Sequence, residues 1–593
     1  MVVSSQAEAL LGVECSVGGL RWRERATDQR AVLAISQRLG LPDVVARVLA
    51  ARGVRSESVE QFLDPKLRDL MPDPSLLVDM DRAVARLAEA VINAEKIAVF
   101  GDYDVDGATA SALLRKFFFS VGIDIEVYIP DRMREGYGPT DEALRKLHAN
   151  GARVVVTVDC GTGAHDALAS AALIGLDVIV LDHHLAGPDL PTCVALVNPN
   201  RLDDCSDQGT LAAVGVVYLF IVALNRALRG ADFFRSRREP DLIAWLDLVA
   251  LGTVCDVVPL TGLNRALVRQ GLKVIAKRQN KGLAALADIA GMDSRPESYH
   301  LGFVLGPRIN AGGRVGEAGL GHRLLTTDDQ RDAANIATRL NDLNLERQTI
   351  ESLSVEQAFA KVQLAGDSDS AIFVDDQHWH PGVIGLVASR LAQRYKKPSL
   401  VISFENDIGR GSARSIPNAD IGAIITAAKQ CGLLLGGGGH PMAGGFTIHR
   451  SKLHAFREFA NERAMKQGGM VEGPTLGLDG ILALSGARSE LVETLEQAGP
   501  YGASNPQPRF AFAKVRLVRA DRVGEGNHVR CILAGDGGVR LKGIAFRVGD
   551  QPLGQALLEA KSLHIAGSLR HNNWGGRQEV QLTIDDVAYP EGG

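Results

Sequence analysis

The sequence predicts an α/β protein in which a parallel-sheet domain is joined by a long helix to a smaller α/β domain and then to a β-barrel. Apolar runs alternate with helical stretches between residues 96 and 258, which indicates β-α-β units. Residues 328–362 contain no Gly or Pro and have apolar residues at helical spacing, which predicts a long helix. Short strands separated by Gly-rich turns follow residue 509 and are typical of a small barrel.

A chain of 593 residues is too long for one hydrophobic core, so we expect several domains. Prolines at positions 65, 72 and 74 separate an N-terminal helical region from the first α/β region. The predicted segments are a helical cap over 1–80, a parallel-sheet domain over 81–325, a connecting helix over 326–365, a second α/β domain over 366–460, and the barrel domain over 461–593.

Composition excludes several classes of protein. The seven cysteines are scattered and form no CxxC pair, which argues against a zinc knuckle or a disulfide framework and favours a reducing cytoplasm. The N-terminus shows no signal-peptide pattern. The most apolar stretch, 211–224, is too short to span a bilayer and is typical of a buried helix, so we expect no membrane contact. With a net charge of −5, any surface that binds nucleic acid must be local.

Acidic and histidine residues follow three apolar runs, each of which reads as a buried parallel strand. The runs 97–100, 154–158 and 178–181 are followed respectively by Asp102, Asp104 and Asp106, by Asp159, and by Asp182, His183 and His184. A helical stretch over 245–253 precedes Asp256. Because ligands gather at the carboxyl ends of parallel strands, the sequence predicts a divalent-metal site there.

The DxDxDG segment over 102–107 also begins like an EF-hand loop. That alternative fails because residues 110–113 are Ala-Ser-Ala-Leu, where the bidentate Glu of the loop would stand. Carboxylates with one imidazole suit Mn²⁺ or Mg²⁺. Several carboxylates sharing one cavity repel each other unless cations are present. Two cations roughly 3.5–4 Å apart can activate water and clamp an in-line displacement at phosphorus.

The ordered motifs DYDVDG, VTVDCGT, LDHH and TVCDVVPL resemble the DHH phosphoesterase superfamily. The stretches GPRINAGGR, HPGVIG and GHPMAGG extend the resemblance to its single-strand-specific 5′→3′ DNA exonucleases. The resemblance implies a DHH catalytic domain, a DHHA1 domain over 366–460 and an OB-type barrel. Its implied metal ligands are Asp104, Asp106, Asp159, His183 and Asp256. For Asp102 it leaves a role behind the ligands or in holding water. For His184 it implies contact with the phosphate, and the alternatives are that His184 orients His183 or packs against the sheet.

The resemblance also implies a pocket for the 5′-terminal phosphate, formed by Arg132, Ser412 and Arg414, with Arg134 as a rival of Arg132. Arginine forks match phosphate oxygens in pairs. We expect the Gly409–Arg414 stretch to be a flexible loop. Arg308 and His440 resemble residues that face the scissile phosphate.

The barrel region supplies a local basic surface, because residues 509–547 contain nine Lys or Arg and three Asp or Glu. We expect Arg516 and Lys542 to bind single-stranded DNA from exposed strand faces. The candidates for base stacking are Phe510, Phe512, Phe546 and Trp574. The alternative is a barrel that serves only as a docking surface.

These features together predict a two-metal exonuclease that degrades single-stranded DNA from the 5′ end, and the resemblance implies a role in recombination and repair. The resemblance implies single-stranded DNA as partner, with a helicase and a single-strand-binding protein as collaborators, and we expect a monomer. One alternative is a DHH-type phosphodiesterase of oligonucleotides or cyclic dinucleotides, whose members lack the basic barrel. The other is a non-catalytic replication scaffold of the same fold, whose members have lost metal ligands.

Overall fold

The computed structural model describes residues 8–366, 369–467, 473–574 and 577–590. The chain forms two compact units. One unit comprises residues 1–71, 259–269 and 472–593, and the other comprises residues 72–258 and 270–471.

Among the described residues of the N-terminal region are strand β1 (Arg21–Glu24) and the α-helices α1 (Gln29–Leu39), α2 (Asp43–Ala50), α3 (Val59–Leu63) and α4 (Leu67–Leu70). Asp28 caps α1 by accepting a hydrogen bond from the amide of Arg30, and Gly40 ends the helix in the left-handed conformation. The region expected to be a helical cap also contains a strand, β1, which pairs in parallel with residues 475–478.

The first α/β region follows, with α5 (Met80–Ile92), β2 (Ile97–Phe100), α6 (Val105–Ser120), β3 (Glu126–Tyr128), α7 (Asp141–Ala149), β4 (Val154–Val158), α8 (His165–Leu173), β5 (Asp177–Leu181), β6 (Ala195–Val197), α9 (Ala213–Gly230) and α10 (Leu246–Cys255). The strands form a parallel sheet in the order β3-β2-β4-β5-β6. All residues of β2 and β4 are buried, so the apolar runs are central strands as predicted.

Helix α9 is longer than the apolar stretch expected from the sequence. By length and composition it is the one helix of the described residues that could cross a membrane, but 72% of it is buried inside the protein. Its buried face packs against α5, α6 and α10. A helix that is buried to this extent belongs to the core of the protein.

The next elements are helices: α11 (Gly262–Ile275), α12 (Lys281–Ile289), a π-helical turn (His300–Leu305), α13 (Gly306–Val315), α14 (Leu320–Thr326) and α15 (Gln330–Ala365). The predicted long helix is α15, with 36 residues. Asp329 caps it by accepting a hydrogen bond from the amide of Asp332. Helix α15 contacts α12, α13 and α14 before it, and β7 (Ile372–Asp376) and α16 (Ile384–Tyr395) after it, so it connects the two α/β regions.

The second α/β region continues with β8 (Ser399–Glu405), β9 (Ile408–Arg414), α17 (Ile421–Gln430), β10 (Gly436–His440), β11 (Ala443–His449) and α18 (Leu453–Gln467). Its mixed sheet has the order β10-β11-β9-β8-β7. The expectation that Gly409–Arg414 is a flexible loop is wrong, because these residues lie in β9 between β8 and β11. Gly411 is required there, since a β-carbon would lie 2.1 Å from the ring of Phe446.

The C-terminal region contains β12 (Thr475–Leu478), α19 (Ser489–Gln497), β13 (Phe510–Val523), β14 (His528–Ala534), β15 (Arg540–Ala545), α20 (Pro552–Glu559), β16 (Ser562–Trp574) and β17 (Arg577–Ala588). The last five strands close a barrel in the order β13-β14-β15-β17-β16, which confirms the predicted barrel. Its core includes buried residues of α1 and α2.

The barrel core corrects one expectation about base stacking. Phe510 and Phe512 are fully buried and therefore serve as core residues. Phe546 is exposed, and the Trp574 side chain lies outside the described part of the chain. Only Phe546 of the four predicted aromatics is therefore shown to be accessible.

Candidate metal centre and phosphate pocket

The site begins at the point where the connectivity of the first sheet reverses. Strand β2 lies between β3 and β4. The chain therefore passes from β2 to β3 on one side of it, and then crosses to β4 on the other side. Asp102 and Asp104 follow β2, and Asp159 follows β4, the neighbouring strand. A crevice forms at such a switch point beyond the carboxyl ends of the strands, which brings these carboxylates together.

The start of α6 fixes two of the carboxylates. Asp104 is the N-cap residue, and its side chain accepts a hydrogen bond from the amide of Gly107 at 3.1 Å. Asp106 is buried in the first turn and accepts hydrogen bonds from the amides of Ala213 at 2.7 Å and Val214 at 2.9 Å, where α9 begins. The positive end of α9 therefore holds this carboxylate.

Asp159 and Asp256 complete the group around His183. His183 Nε2 lies 3.3 Å from Asp159 Oδ1 and 3.9 Å from Asp106 Oδ2, and His183 Nδ1 lies 3.6 Å from Asp256 Oδ2. Asp256 directly follows the last turn of α10. Asp159 has a φ of 60°, a conformation that costs free energy in a residue other than glycine and is concentrated at functional sites.

The side chains fit divalent cations. Three groups each place one ligand atom per residue within 4.8 Å of one another: Asp102, Asp104 and Asp159; Asp106, His183 and Asp256; and Asp159, His183 and His184. Among the described residues, Asp102 Oδ1 and Asp256 Oδ2 are buried without a hydrogen-bond partner. Buried, unpaired carboxylate oxygens at this density require a positive partner.

The electrostatics of the cluster also favour the binding of cations. Burial and the charge of Asp104 raise the pKa of Asp102 well above its usual value, and they raise the pKa of Asp106 to about 7. Burial and the charge of Asp106 raise the pKa of Asp256 to about 9. Burial and the charge of His184 lower the pKa of His183 to about 4, so its imidazole is neutral and able to bind a metal.

Sequence reasoning assigned no role to Asp182, which is buried behind the two histidines. One of its carboxylate oxygens accepts hydrogen bonds from the amide of His183 at 2.8 Å and from His184 Nδ1 at 2.7 Å. The other accepts from the amide of Thr162 at 3.0 Å. Asp182 therefore orients the pair, and its position directly before them in the motif was the available signal.

Tyr137 was also missed. Its hydroxyl donates to the carbonyl oxygen of Asp159 at 2.9 Å and lies 3.1 Å from His184 Nδ1. The imidazole rings of His184 and His440 stack with centroids 6.2 Å apart, which brings the second α/β region to the metal cluster. His440, predicted to face the phosphate, therefore lies beside the predicted ligands.

A group of arginines adjoins the cluster. Arg414 Nη1 lies 3.4 Å from Ser412 Oγ on β9. Burial, and then the charge of Arg132, lower the pKa of Arg414. Burial, followed by the charges of Arg132, Arg347 and Arg414, lowers the pKa of Arg314 to about 10. Half-buried guanidinium groups that repel each other favour the binding of an anion.

The predicted phosphate residues do not all lie in this group. Arg132 is near it and has its guanidinium 5.1 Å from the ring centroid of Tyr103, whereas Arg134 is exposed and faces Asp131. Arg308 instead donates to the carbonyl oxygen of Val304 at 2.7 Å and to Asn341 Oδ1 at 3.1 Å. Arg314, which lies in the quoted GPRINAGGR motif, was not selected from sequence.

The barrel cations are less available than the sequence count suggested. Ion pairs involve five of the nine predicted cations: Arg509, Arg519, Arg522, Arg530 and Lys542. Lys542 pairs with Glu579, which lies beyond the segment that was counted. Arg516 is exposed and forms no ion pair within the described residues.

Three family models match the chain: the DHH family N-terminal domain over residues 96–253, the DHHA1 domain over 368–466 and the RecJ OB domain over 478–586. The single-stranded-DNA-specific exonuclease RecJ of Escherichia coli is 34% identical over 582 residues, which cover 96% of this chain and 99% of that protein. RecJ of Bacillus subtilis is 31% identical over 96% of this chain and 71% of that protein.

A crystal structure of RecJ from Thermus thermophilus in complex with Mn²⁺ matches with a TM-score of 0.80 and 30% identity, over 96% of this chain and 80% of that chain. The corresponding complex with Mg²⁺ matches with a TM-score of 0.75 and 29% identity, over 96% and 79%. The order of the matched regions agrees with the order of the sheets and the barrel described above.

Proposed function

Because the chain belongs to the RecJ family of single-stranded-DNA-specific exonucleases, we propose that it hydrolyses single-stranded DNA from the 5′ end with the help of two divalent cations. The main structural support is the carboxylate–histidine cluster at the switch point of the first sheet. A half-buried arginine group beside it would give the substrate phosphates a place to bind.

The residues that would hold the cations are Asp104, Asp106, Asp159, His183 and Asp256. Bound Mn²⁺ or Mg²⁺ would supply Lewis acidity at the phosphoryl oxygens and lower the pKa of water at the centre. Asp102, whose Oδ1 has no hydrogen-bond partner among the described residues, would accept a hydrogen bond from water at the centre and hold it there. His184, held by Asp182, would donate a hydrogen bond to the phosphate, with His440 opposite it.

The polarity of digestion would come from an anchor for the terminal phosphate. We assign this role to Arg132, Ser412 and Arg414, and add Arg314, which is half-buried, is repelled by the other two arginines and donates to the carbonyl oxygen of Gly382 at 3.2 Å. A terminal phosphate carries more charge than an internal one and gains most from converging arginines. Arg308 would serve the strand only if its bond to Asn341 is exchanged for a phosphate.

We propose that the barrel domain, within 461–593, holds the rest of the strand, chiefly through Arg516 and with a smaller part for the paired Lys542. The DHH domain within 81–325 and the DHHA1 domain within 366–460 would carry the catalytic residues and the anchor, joined by the helix within 326–365. The helical segment within 1–80 would support the barrel.

A substrate that must be unpaired requires a strand-separating activity before this enzyme, so a helicase and a single-strand-binding protein are the proposed collaborators. We place the monomeric enzyme in the cytoplasm, in recombination and repair. Both alternatives are less well supported: the presence of a RecJ OB domain argues against an oligonucleotide or cyclic-dinucleotide phosphodiesterase, and the intact ligand set argues against a non-catalytic scaffold.

The test is digestion of single- and double-stranded DNA labelled at either end, with Mn²⁺ or Mg²⁺, by the native protein and by Asp159→Ala. We expect release of nucleotides from the 5′ end of single strands by the native protein alone. Activity that persists in Asp159→Ala without added metal would refute the assignment of the metal centre. Equal digestion of both ends would refute the anchor.

A further inference from the structure

Two aromatic side chains are exposed side by side on the surface of the unit that holds the metal cluster. Tyr299 is 60% exposed and Phe303 is 72% exposed. Their rings are stacked, with centroids 5.3 Å apart and planes 23° apart. Large aromatic side chains are usually buried on folding, and a rigid pair left in water is typical of a binding surface.

The pair is attached to the segment that carries Asp256. Phe303 lies in the π-helical turn His300–Leu305, and turns of this kind are frequent at functional sites. The carbonyl oxygen of Leu301 accepts a hydrogen bond from Cys255 Sγ at 3.4 Å. A β-carbon on Gly302 would lie 3.4 Å from Val254 Cγ1. The residues directly before Phe303 therefore pack on the end of α10.

The residue that follows Asp256 is unusual in two respects. Val257 is 71% exposed and has a φ of 61°. A β-branched residue in the left-handed conformation is strained, and such strain is concentrated at ligand-binding segments. The segment thus presents an apolar side chain to solvent immediately beside a metal ligand, next to the helical turn that presents Phe303.

We propose that Tyr299 and Phe303 form a stacking platform for an unpaired base of the strand whose phosphate is bound at the metal centre. The proposal rests on the proposed function and extends it to a site for the bases. The occupant follows from position, since the turn that carries Phe303 packs on the end of α10 directly before Asp256, and a nucleotide whose phosphate is bound at the metal centre must place its bases nearby. Aromatic faces bind every base, so the platform has no sequence preference.

The platform also contributes to the choice between single and double strands. A base can stack on an exposed ring only if it has left its own stack and lost its partner. Binding energy from this contact is therefore available to an unpaired strand and unavailable to a duplex. Tyr299 and Phe303 act as positioning residues for the strand, while the phosphate chemistry remains at the metal centre.

The experiment uses 5′-phosphorylated oligonucleotides that each carry one abasic site, at successive positions from the 5′ end. With the native full-length protein, we expect an abasic site at one position, or at two adjacent positions, to raise KM about tenfold, as loss of one base stack does. With Phe303→Ala, KM for intact DNA should rise by a similar factor. The abasic sites should then have no further effect, and kcat should change little.

Phe303→Tyr retains the ring and should behave as native. Phe119→Ala removes a ring of similar exposure, 67%, near the other end of α6 from the metal cluster, and should also behave as native. The proposal is overturned if native and Phe303→Ala proteins respond identically to every abasic position. Dissociation constants for the same oligonucleotides, measured with Asp159→Ala, test the platform even if native protein fails to digest single strands, a failure that would refute the proposed function instead.

Discussion

The metal cluster and the barrel surface both carry many charges, but the two regions arrange them in opposite ways. At the cluster, carboxylates of like sign are buried together, and oxygens of Asp102 and Asp256 have no hydrogen-bond partner. On the barrel, five of the nine predicted cations face a carboxylate, as Lys542 faces Glu579. The cluster is therefore incomplete without cations, whereas part of the barrel charge is already paired.

The difference teaches how each region binds. A buried group of like charges binds its counterion strongly, since desolvation magnifies the attraction. Exposed ion pairs contribute little to stability and are screened by salt. We therefore expect single substitutions at the cluster to change activity by orders of magnitude, and single substitutions on the barrel to change affinity by small factors.

The largest effect is expected for Asp159→Asn, which keeps the shape of the side chain and removes its charge. Loss of several kcal/mol of transition-state stabilisation lowers kcat by about 10³-fold or more. The metal-free variant should melt a few degrees higher than metal-free native protein, because one of several mutually repelling carboxylates is gone. Thermal melts with and without Mn²⁺ test the repulsion, and steady-state digestion at saturating substrate measures kcat. A lower melting temperature for the metal-free variant would contradict the repulsion.

The next largest effect is expected for Asp182→Asn, which leaves the predicted ligands in place and weakens the group that holds His184. Loss of a carboxylate behind ligating residues typically lowers activity about 10–100-fold. We expect this loss in kcat, with KM and Mn²⁺ affinity changed less. Asp203→Asn, which alters an exposed pair with Arg201, is the control. Activity at the native level would show that His184 needs no orientation by Asp182.

The metal cluster and the barrel surface also differ in how well the sequence predicts them. Asp104, Asp159 and His183 could be located because strand ends in a parallel sheet meet at one edge, so local motifs imply the assembled site. Arg314 was missed because its neighbours come from distant segments, and only the packed structure shows their repulsion.

The barrel was predicted correctly as a fold, but its surface was not. Phe510 and Phe512 lie on the same face of β13, and this face is in the core, because periodicity identifies two faces without saying which is inside. The count of charged residues was limited to 509–547 and therefore did not include Glu579, which meets Lys542 only when the barrel closes. Long-range pairing of this kind leaves no local pattern in the sequence.

A moderate effect is expected for Arg414→Ala. A charge-assisted contact to a terminal phosphate is worth about 1.5–3 kcal/mol, so the preference for a 5′-phosphate over a 5′-hydroxyl end should fall about 10–100-fold. The ratio of kcat/KM for the two kinds of oligonucleotide measures this preference. Arg457→Ala removes an arginine of the same domain that is paired with Asp369, and should leave the ratio unchanged. An unchanged ratio in Arg414→Ala would remove this residue from the anchor.

The smallest effects are expected on the barrel, and there the direction is informative. Arg516→Ala should weaken binding of single-stranded DNA about 2–5-fold and reduce the slope of log Kd against log salt concentration by about 0.7. Glu579→Gln should strengthen binding, because it releases Lys542 for a phosphate, and should increase the same slope. Glu490→Gln makes the same change of charge on α19, where no ion pair of Glu490 occurs within the described residues. If Glu579→Gln and Glu490→Gln strengthen binding equally, the gain comes from net charge alone, and the pairing of Lys542 does not limit the barrel.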